Sequence, residues 1–180
     1  MELIDALDRT YQHANRVMAG VRPDQFDAMT PCSEWKVRDL IEHMYGTVVI
    51  IGAAAGGRPP DEIQIGPDTA QQFEKATAEN LSVWRAPGAL DQTITGGAGT
   101  MPGRAFAGIN LLDIATHSWD LANATGQPAE LPVDVATAAW EASQQVVTPE
   151  LRIGRFAEAI PADNEATVTQ QLVAFLGRTP

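Results

Sequence analysis

Apolar residues recur at helical spacing along the first third of the chain. The first stripe covers Leu3–Met18 and stops before Gly20, and the second covers Val37–Ile51 and ends at Gly56. Ser33 lies in a turn just before the second stripe, where a serine side chain can cap the free N–H groups of a helix. This part of the sequence therefore predicts two helices, of which the second is long.

Two more helices follow with the same period. The third carries the stripe Phe73–Trp84, with Asp68 or Thr69 as its N-cap. The fourth covers Arg104–Thr125 and is followed by Gly126, which suits the left-handed turn that ends many helices. Together with the first two, these segments are long enough to form a four-helix bundle.

The rest of the chain adds connections and shorter helices. Asp134–Val147 and Asn164–Leu176 are helical stretches, whereas Leu90–Gly103 is glycine-rich and predicts an irregular loop or a small strand. Gly56–Pro67 is longer than the few residues that join adjacent antiparallel helices, which indicates a crossover. We predict an all-α fold: a four-helix bundle with a crossover connection and additional short helices, with residues 1–180 as a single domain.

Charge and cysteine content narrow the classes of partner. The 180 residues carry 12 Lys and Arg against 23 Asp and Glu, a net charge of −11, which disfavours binding to nucleic acid or to an anionic membrane. The one cysteine, Cys32, excludes an internal disulfide and an all-thiolate zinc site. Because the sequence has no basic and apolar leader and no apolar stretch that could span a bilayer, we expect a cytoplasmic protein.

The fourth helix is apolar on two opposite sides and carries a polar row between them. Asn110, Asp113, His117 and Asp120 occur at i, i+3, i+7 and i+10, so they line up along the helix axis. Asp113 and His117 are one turn apart, a spacing at which a carboxylate and an imidazole can bind the same ion. The alternative is that the row is the solvent-facing side of the helix, as in most soluble proteins.

The other two histidines differ in their helical angle. His43 lies roughly 100° from the centre of the apolar stripe of the second helix, at the edge of the buried face, from where it can face a cavity between helices. A structural histidine at a helix edge is the alternative. His13 lies well over 100° from the stripe of the first helix, so we expect it to point to water and do not take it as a ligand.

Other candidate chemistry is weaker. Cys32 precedes a helix start, where the helix dipole can lower a thiol pKa, but no base or second cysteine accompanies it, which favours a structural role. Gly96–Gly103 lacks the Lys-Ser or Lys-Thr pair of a phosphate-binding loop and is interpreted as a mobile loop. The four tryptophans are interpreted as core residues or pocket walls: Trp35, Trp84, Trp119 and Trp140.

Three stretches together resemble one known family. The entry to the second helix, Thr30–His43, reads TPCSEWKVRDLIEH, and Gly99–Gly103 with Asp113–Gly126 supplies GTMPG and then D-x3-H-S-W-D-L-A-x-A-T-G. The segment Ala159–Arg178 closes with the letters FLGR. In these motifs the sequence is similar to the DinB-like metal-binding bundles related to mycothiol-dependent maleylpyruvate isomerase, in particular to their short single-domain members. The similarity spans nearly the whole chain.

The resemblance implies a DinB-like four-helix bundle that holds one divalent metal ion through His43, Asp113 and His117. Relatives usually have Glu or His at the position of Asp113. The implied cofactors are Zn²⁺, with Ni²⁺ or Fe²⁺ as alternatives, and mycothiol as a cosubstrate. Asp39 and Asp120 are candidates to accept hydrogen bonds from the outer nitrogens of the two histidines.

The function that this resemblance implies is a mycothiol-type S-transferase or isomerase that acts on a small electrophile. Its partners would be a small-molecule thiol and an electrophilic substrate. A noncatalytic metal-binding or stress-related bundle, as a homodimer, is one alternative. A metal-dependent hydrolase, in which the ion activates water instead of a thiol, is another.

Overall fold

Four long helices form a bundle in the structure, a computed structural model that describes residues 1–32, 34–97 and 99–180. They are α1 (Leu3–Ala19), α2 (Val37–Ala55), α3 (Thr69–Trp84) and α4 (Gly103–Thr125). Both α1 and α2 pack against α3 and α4, so the order around the ring is α1, α3, α2, α4. The predicted all-α bundle is confirmed.

The connections that cross the bundle diagonally are not where the sequence predicted a crossover. Helices α2 and α3 are neighbours, so the segment after Gly56, which we expected to cross over, joins adjacent helices. The chain instead crosses the bundle between α1 and α2 and between α3 and α4. The segment after Gly56 is longer than a direct connection between adjacent helices because it runs back along α2, where the Ile63 side chain approaches Gly46.

Shorter elements complete the described chain. They are a 3₁₀ turn (Pro23–Gln25), the hairpin strands β1 (Thr93–Gly96) and β2 (Gly99–Pro102), and the helices α5 (Val133–Val146), α6 (Pro149–Arg152) and α7 (Val168–Phe175). The antiparallel hairpin occupies the segment that we expected to be a mobile loop or a small strand, and its Ala98 lies outside the described residues. Helix α5 packs against α4, and α7 packs against α5. None of the described helices has both the length and the apolar character that crossing a membrane requires.

The start of α2 differs from the prediction. Ser33, the expected cap, lies outside the described residues, and the helix begins at Val37 after an extended Lys36. Asp39 Oδ2 accepts a hydrogen bond from the Lys36 backbone N–H at 2.9 Å, which caps the helix. Because Asp39 is engaged at the helix end, the prediction that it supports a histidine ligand is wrong.

Two other helix ends show how caps set the boundaries. Gly126 has φ 68° and ends α4 in the left-handed turn that was predicted. Helix α7 begins at Val168 rather than at Asn164, because the Thr167 hydroxyl accepts a hydrogen bond from the Gln170 N–H at 3.2 Å.

His13 is buried, contrary to the expectation that it points to water. Its exposed fraction is 7%, and its Nε2 atom has no hydrogen-bond partner among the described residues. The angular argument allowed for one apolar stripe, but α1 packs against α3, α4 and α5, so its buried arc is wider. Burial lowers the pKa of His13, which keeps the imidazole neutral.

Helix α4 is buried around nearly its whole circumference, as its two apolar sides predicted. The polar row is buried with it: Asn110 and Asp120 are 0% exposed and His117 is 8% exposed. The hypothesis that this row is a solvated face is therefore wrong. Inside the bundle each of these side chains needs a polar partner.

Asn110 finds its partners in a hydrogen-bond network at the centre of the bundle. The Tyr11 hydroxyl donates to Asn80 Oδ1 at 2.8 Å, and Asn110 Nδ2 donates to the Tyr11 oxygen at 2.7 Å. Asn80 Nδ2 in turn donates to the Val48 carbonyl at 2.8 Å. The network thus joins all four bundle helices, and burial raises the pKa of Tyr11 well above its ordinary value.

We expect Tyr11→Phe to lower the free energy of unfolding by about 1–3 kcal/mol, because the buried amides of Asn80 and Asn110 lose a hydroxyl partner. Urea unfolding followed by circular dichroism measures the change. Tyr45→Phe is the matched control, since the half-buried Tyr45 hydroxyl makes no hydrogen bond to the described residues, and a change within about 0.5 kcal/mol is expected there. Equal losses in the two variants would contradict the role of the network.

Candidate metal centre

Three polar side chains meet where α2 faces α4. His43 projects from α2, and Asp113 and His117 lie one turn apart on α4. His43 Nε2 is 3.1 Å from Asp113 Oδ1, and His117 Nε2 is 3.7 Å from the same oxygen. The two imidazole rings meet edge to face with centroids 4.8 Å apart. The structure thus brings together all three residues that the sequence analysis selected.

The cluster is partly buried and electrostatically coupled. Burial would lower the pKa of His43, but the hydrogen bond to Asp113 and its charge raise that pKa above its ordinary value. Burial would raise the pKa of Asp113, yet the charge of His117 and the contacts with His43 lower it. The carboxylate is therefore held ionised next to two imidazoles.

The donor set fits a divalent metal ion. The ligand-capable atoms of His43, Asp113 and His117 all lie within 4.8 Å of one another. Asp113 Oδ2 is buried and has no hydrogen-bond partner among the described residues, which is costly for a carboxylate oxygen unless another group binds there. Two imidazole nitrogens and one carboxylate are the ligand types of catalytic zinc and of non-haem iron sites, which keep further positions open.

His117 is oriented from its other side. Its Nδ1 lies 2.9 Å from Asp120 Oδ2, so the imidazole can donate from Nδ1 and keep the lone pair on Nε2, which faces Asp113. Burial opposes ionisation of Asp120, but hydrogen bonds from His117 and Arg178 lower its pKa. Asp120 therefore occupies the place that the sequence analysis assigned to it.

A cavity of about 780 Å³ opens onto the three side chains. Its wall is mostly apolar, with contributions from β2, α4, α5 and the segment around α6. The lining residues are Cys32, Trp35, His43, Met101, Ala105, Ile109, Leu112, Asp113, Thr116, His117, Gln145, Val146, Thr148, Leu151, Gly154, Arg155, Phe156 and Arg178. A space of this size accommodates a small organic molecule.

Similarity to known proteins agrees with this geometry. The family described as mycothiol maleylpyruvate isomerase N-terminal domain matches residues 7–122. The chain belongs to this family. Two uncharacterized proteins from two strains of Mycobacterium tuberculosis are each 38% identical to it over 182 residues, which is 99% of this chain and 99% of either relative.

Solved structures share the fold of this family member. The crystal structure of the mycothiol-dependent maleylpyruvate isomerase matches with a TM-score of 0.56 at 16% identity, over 77% of this chain and 68% of that chain. The structure of a histidine-to-alanine mutant of the isomerase matches with a TM-score of 0.54 at 14% identity, over the same shares. The resemblance to the DinB-like bundles of this family is thereby confirmed.

Two residues near the centre have roles that the sequence analysis left general or missed. The Trp35 ring centroid lies 4.7 Å from that of His43 and 5.8 Å from that of His117, so Trp35 is a pocket wall that contacts both imidazoles. Cys32 is half-buried in the same cavity, and burial raises the pKa of its thiol. Both residues belong to the TPCSEW motif that precedes the helix carrying His43, and this motif is the signal that could have indicated both.

Residues after the family match, which covers residues 7–122, also form part of the cavity wall. Part of the wall comes from Leu151 in α6 and from Arg155 and Phe156, which follow this helix. Arg178 contributes from the segment after α7. Helical periodicity could not place these residues, because they lie in or next to short turns. Only the folded chain brings them to the centre.

Proposed function

We propose that this family member is a metal- and thiol-dependent enzyme, an S-transferase or isomerase that uses a mycothiol-type thiol on a small electrophile. The observation that carries the proposal is the convergence of His43, Asp113 and His117 in the wall of a cavity large enough for a small substrate. The family of the chain, described by mycothiol and maleylpyruvate, supports the same class of reaction.

In this proposal His43, Asp113 and His117 hold one divalent ion, Zn²⁺ in the first place and Ni²⁺ or Fe²⁺ as alternatives. When bound, such an ion supplies a positive charge that lowers the pKa of a thiol and makes it nucleophilic near neutral pH. Asp113 would offset part of that positive charge, while the hydrogen bond between His117 Nδ1 and Asp120 would leave Nε2 as the nitrogen that binds the ion.

The remaining cavity residues bind and orient the reactants. Trp35 packs against both imidazoles and limits access of water to them. Apolar side chains such as Ile109 and Phe156 provide the surface for the carbon skeleton of an electrophile. Arg155 adds a guanidinium to the wall, which favours a substrate or thiol that carries a carboxylate.

We propose further that residues 1–180 act as one domain. Helix α5 packs against α1, α4 and α7, so the C-terminal helices share contacts with the bundle. The cavity takes its wall from both regions, for example from Leu112 of α4 and Leu151 of α6. These shared contacts and the shared cavity wall support treating the two regions as one domain.

The proposed activity is tested by following two quantities: loss of the thiol, which reports S-transfer, and conversion of the electrophile, which also reports isomerisation, in which the thiol is regenerated. The metal-free protein is incubated with mycothiol and a panel of electrophiles that includes maleylpyruvate, with and without Zn²⁺, Ni²⁺ or Fe²⁺. We expect turnover that requires both the thiol and a metal ion. Metal binding without turnover of any electrophile would instead indicate a noncatalytic metal-binding bundle, and ester or amide hydrolysis without thiol would indicate a hydrolase.

We expect the parent protein, purified without a histidine tag, to take up about one divalent ion per chain, and His43→Ala to lose most of it. Because the His43 side chain is 32% exposed, few apolar contacts disappear, and the metal-free variant should remain within about 2 kcal/mol of the parent in free energy of unfolding. Elemental analysis and circular dichroism measure the two quantities.

Glu42→Ala is the matched control for His43→Ala, because Glu42 is the exposed neighbour on the same helix. It should keep full metal occupancy. If His43→Ala binds as much metal as the control, or does not fold, His43 is a structural residue.

Two substitutions of Asp113 test separately whether its charge and its side-chain length matter for metal binding. Asp113→Asn keeps the shape but removes the negative charge, so Zn²⁺ binding should weaken by more than the about 10- to 100-fold that the loss of an outer partner typically costs. Asp113→Glu should keep or strengthen binding, since relatives usually have Glu or His at this position. Titration with a competing chelator compares the three proteins. Equal affinities for Asp, Glu and Asn would exclude Asp113 as a ligand.

A further inference from the structure

The C-terminal motif of the chain reaches the candidate metal centre, although it lies 58 residues after Asp120. We propose that Arg178 is a positioning residue: through Asp120 it holds the His117 imidazole in the orientation that leaves Nε2 available to a metal ion. This inference rests on the proposed metal site. It gives a role to the terminal Gly177-Arg178 pair, which no helix periodicity explains.

The ion pair between Arg178 and Asp120 is bidentate and buried. Arg178 Nε donates to Asp120 Oδ1 at 3.0 Å, and Nη2 donates to Oδ2 at 2.8 Å. The side chains are 9% and 0% exposed. A third donor, Nη1, binds the Leu176 carbonyl at 3.1 Å. This arrangement uses the rigid planar fork of arginine, which lysine cannot reproduce.

Asp120 Oδ2 is shared between the two partners. It lies 2.9 Å from His117 Nδ1 and 2.8 Å from Arg178 Nη2. Because both Asp120 oxygens are fixed by the guanidinium, the plane of the carboxylate is set, and with it the direction of the hydrogen bond to the imidazole. Among the described residues Arg178 is the one partner of Asp120 that is always charged, so without it the buried carboxylate would lose that compensation.

The backbone before Arg178 is shaped for this contact. Gly177 has φ +83°, and a Cβ atom there would lie 2.6 Å from the Ala157 Cβ, so only glycine fits. The Arg178 N–H then donates to the Val173 carbonyl at 2.9 Å, which turns the chain back towards the bundle. Nearby, Arg152 of α6 donates to the Phe175 carbonyl at 2.9 Å, which joins the end of α7 to α6.

An ion pair that only stabilises the fold would require no contact beyond the one between Arg178 and Asp120. The additional contact of Asp120 with His117 connects the pair to a candidate ligand, and outer partners of this kind typically change metal affinity by about 10- to 100-fold. The two roles therefore differ in what they predict for metal binding by protein that is fully folded.

The test compares Zn²⁺ affinities by chelator competition for the parent, Arg178→Met, Arg178→Lys, Asp120→Asn and the Arg178→Met/Asp120→Asn double variant. We expect Arg178→Met to bind Zn²⁺ about 10- to 100-fold more weakly, and Arg178→Lys to show a smaller loss because it restores the charge with a poorer fit. If Arg178 acts through Asp120, the double variant should bind no more weakly than Asp120→Asn alone.

Arg9→Met is the matched control, because Arg9 forms an ion pair with Asp134 at 2.9 Å that is distant in sequence from the centre and half-exposed. Its Zn²⁺ affinity should equal that of the parent. Unchanged affinity in Arg178→Met, with only a lower melting temperature, would overturn the proposal, as would strictly additive losses in the double variant. If Arg178→Met does not fold, Arg178→Lys decides between these outcomes.

A second readout needs no metal. In the metal-free protein the Nδ1 proton of His117 should give a slowly exchanging imidazole signal by NMR, and Arg178→Met should make its exchange faster while Arg9→Met does not. A parent protein that binds no Zn²⁺ would refute the proposed metal site without touching this result. An exchange rate that is the same in the parent and in Arg178→Met would refute the positioning role itself.

Discussion

The arrangement of this protein depends on one constraint: α4 is buried around almost its whole circumference, yet it carries a row of polar side chains. Buried polar groups are stable only when they are paired. Asn110 is paired by the tyrosine and asparagine network, Asp113 by His43, and Asp120 by His117 and Arg178. Apart from His117, which lies on α4 itself, these partners come from α1, α2, α3 and the segment after α7.

The same pairing explains why a candidate site lies in the interior of the bundle. Neutralising Asp113 requires an imidazole from α2, and neutralising Asp120 requires a guanidinium from the end of the chain. When the helices pack together, these contacts bring nitrogen and oxygen donors to the wall of one cavity. Packing of the bundle and formation of the site are therefore the same structural event, as in proteins whose metal binding is coupled to folding.

The pairing of the two α4 carboxylates is incomplete at one oxygen among the described residues, and that oxygen lies in the site. Asp113 Oδ2 is buried without a partner among the described residues, whereas both oxygens of Asp120 are hydrogen-bonded. An unsatisfied carboxylate oxygen costs stability in the metal-free protein. Proteins break the rule of polar satisfaction mainly at functional sites, where a ligand completes the set.

The sequence by itself determined the helices and the one-turn spacing of Asp113 and His117, because both follow from the helical period within a single segment. It also placed His43 at the edge of the buried face of its helix, from where the side chain can face a cavity between helices. Only the tertiary structure decided that His13 is buried, that Asp39 caps its own helix and that Arg178 reaches the centre. Periodicity locates a side chain relative to its own helix axis, whereas these outcomes depend on which distant segments pack against that helix.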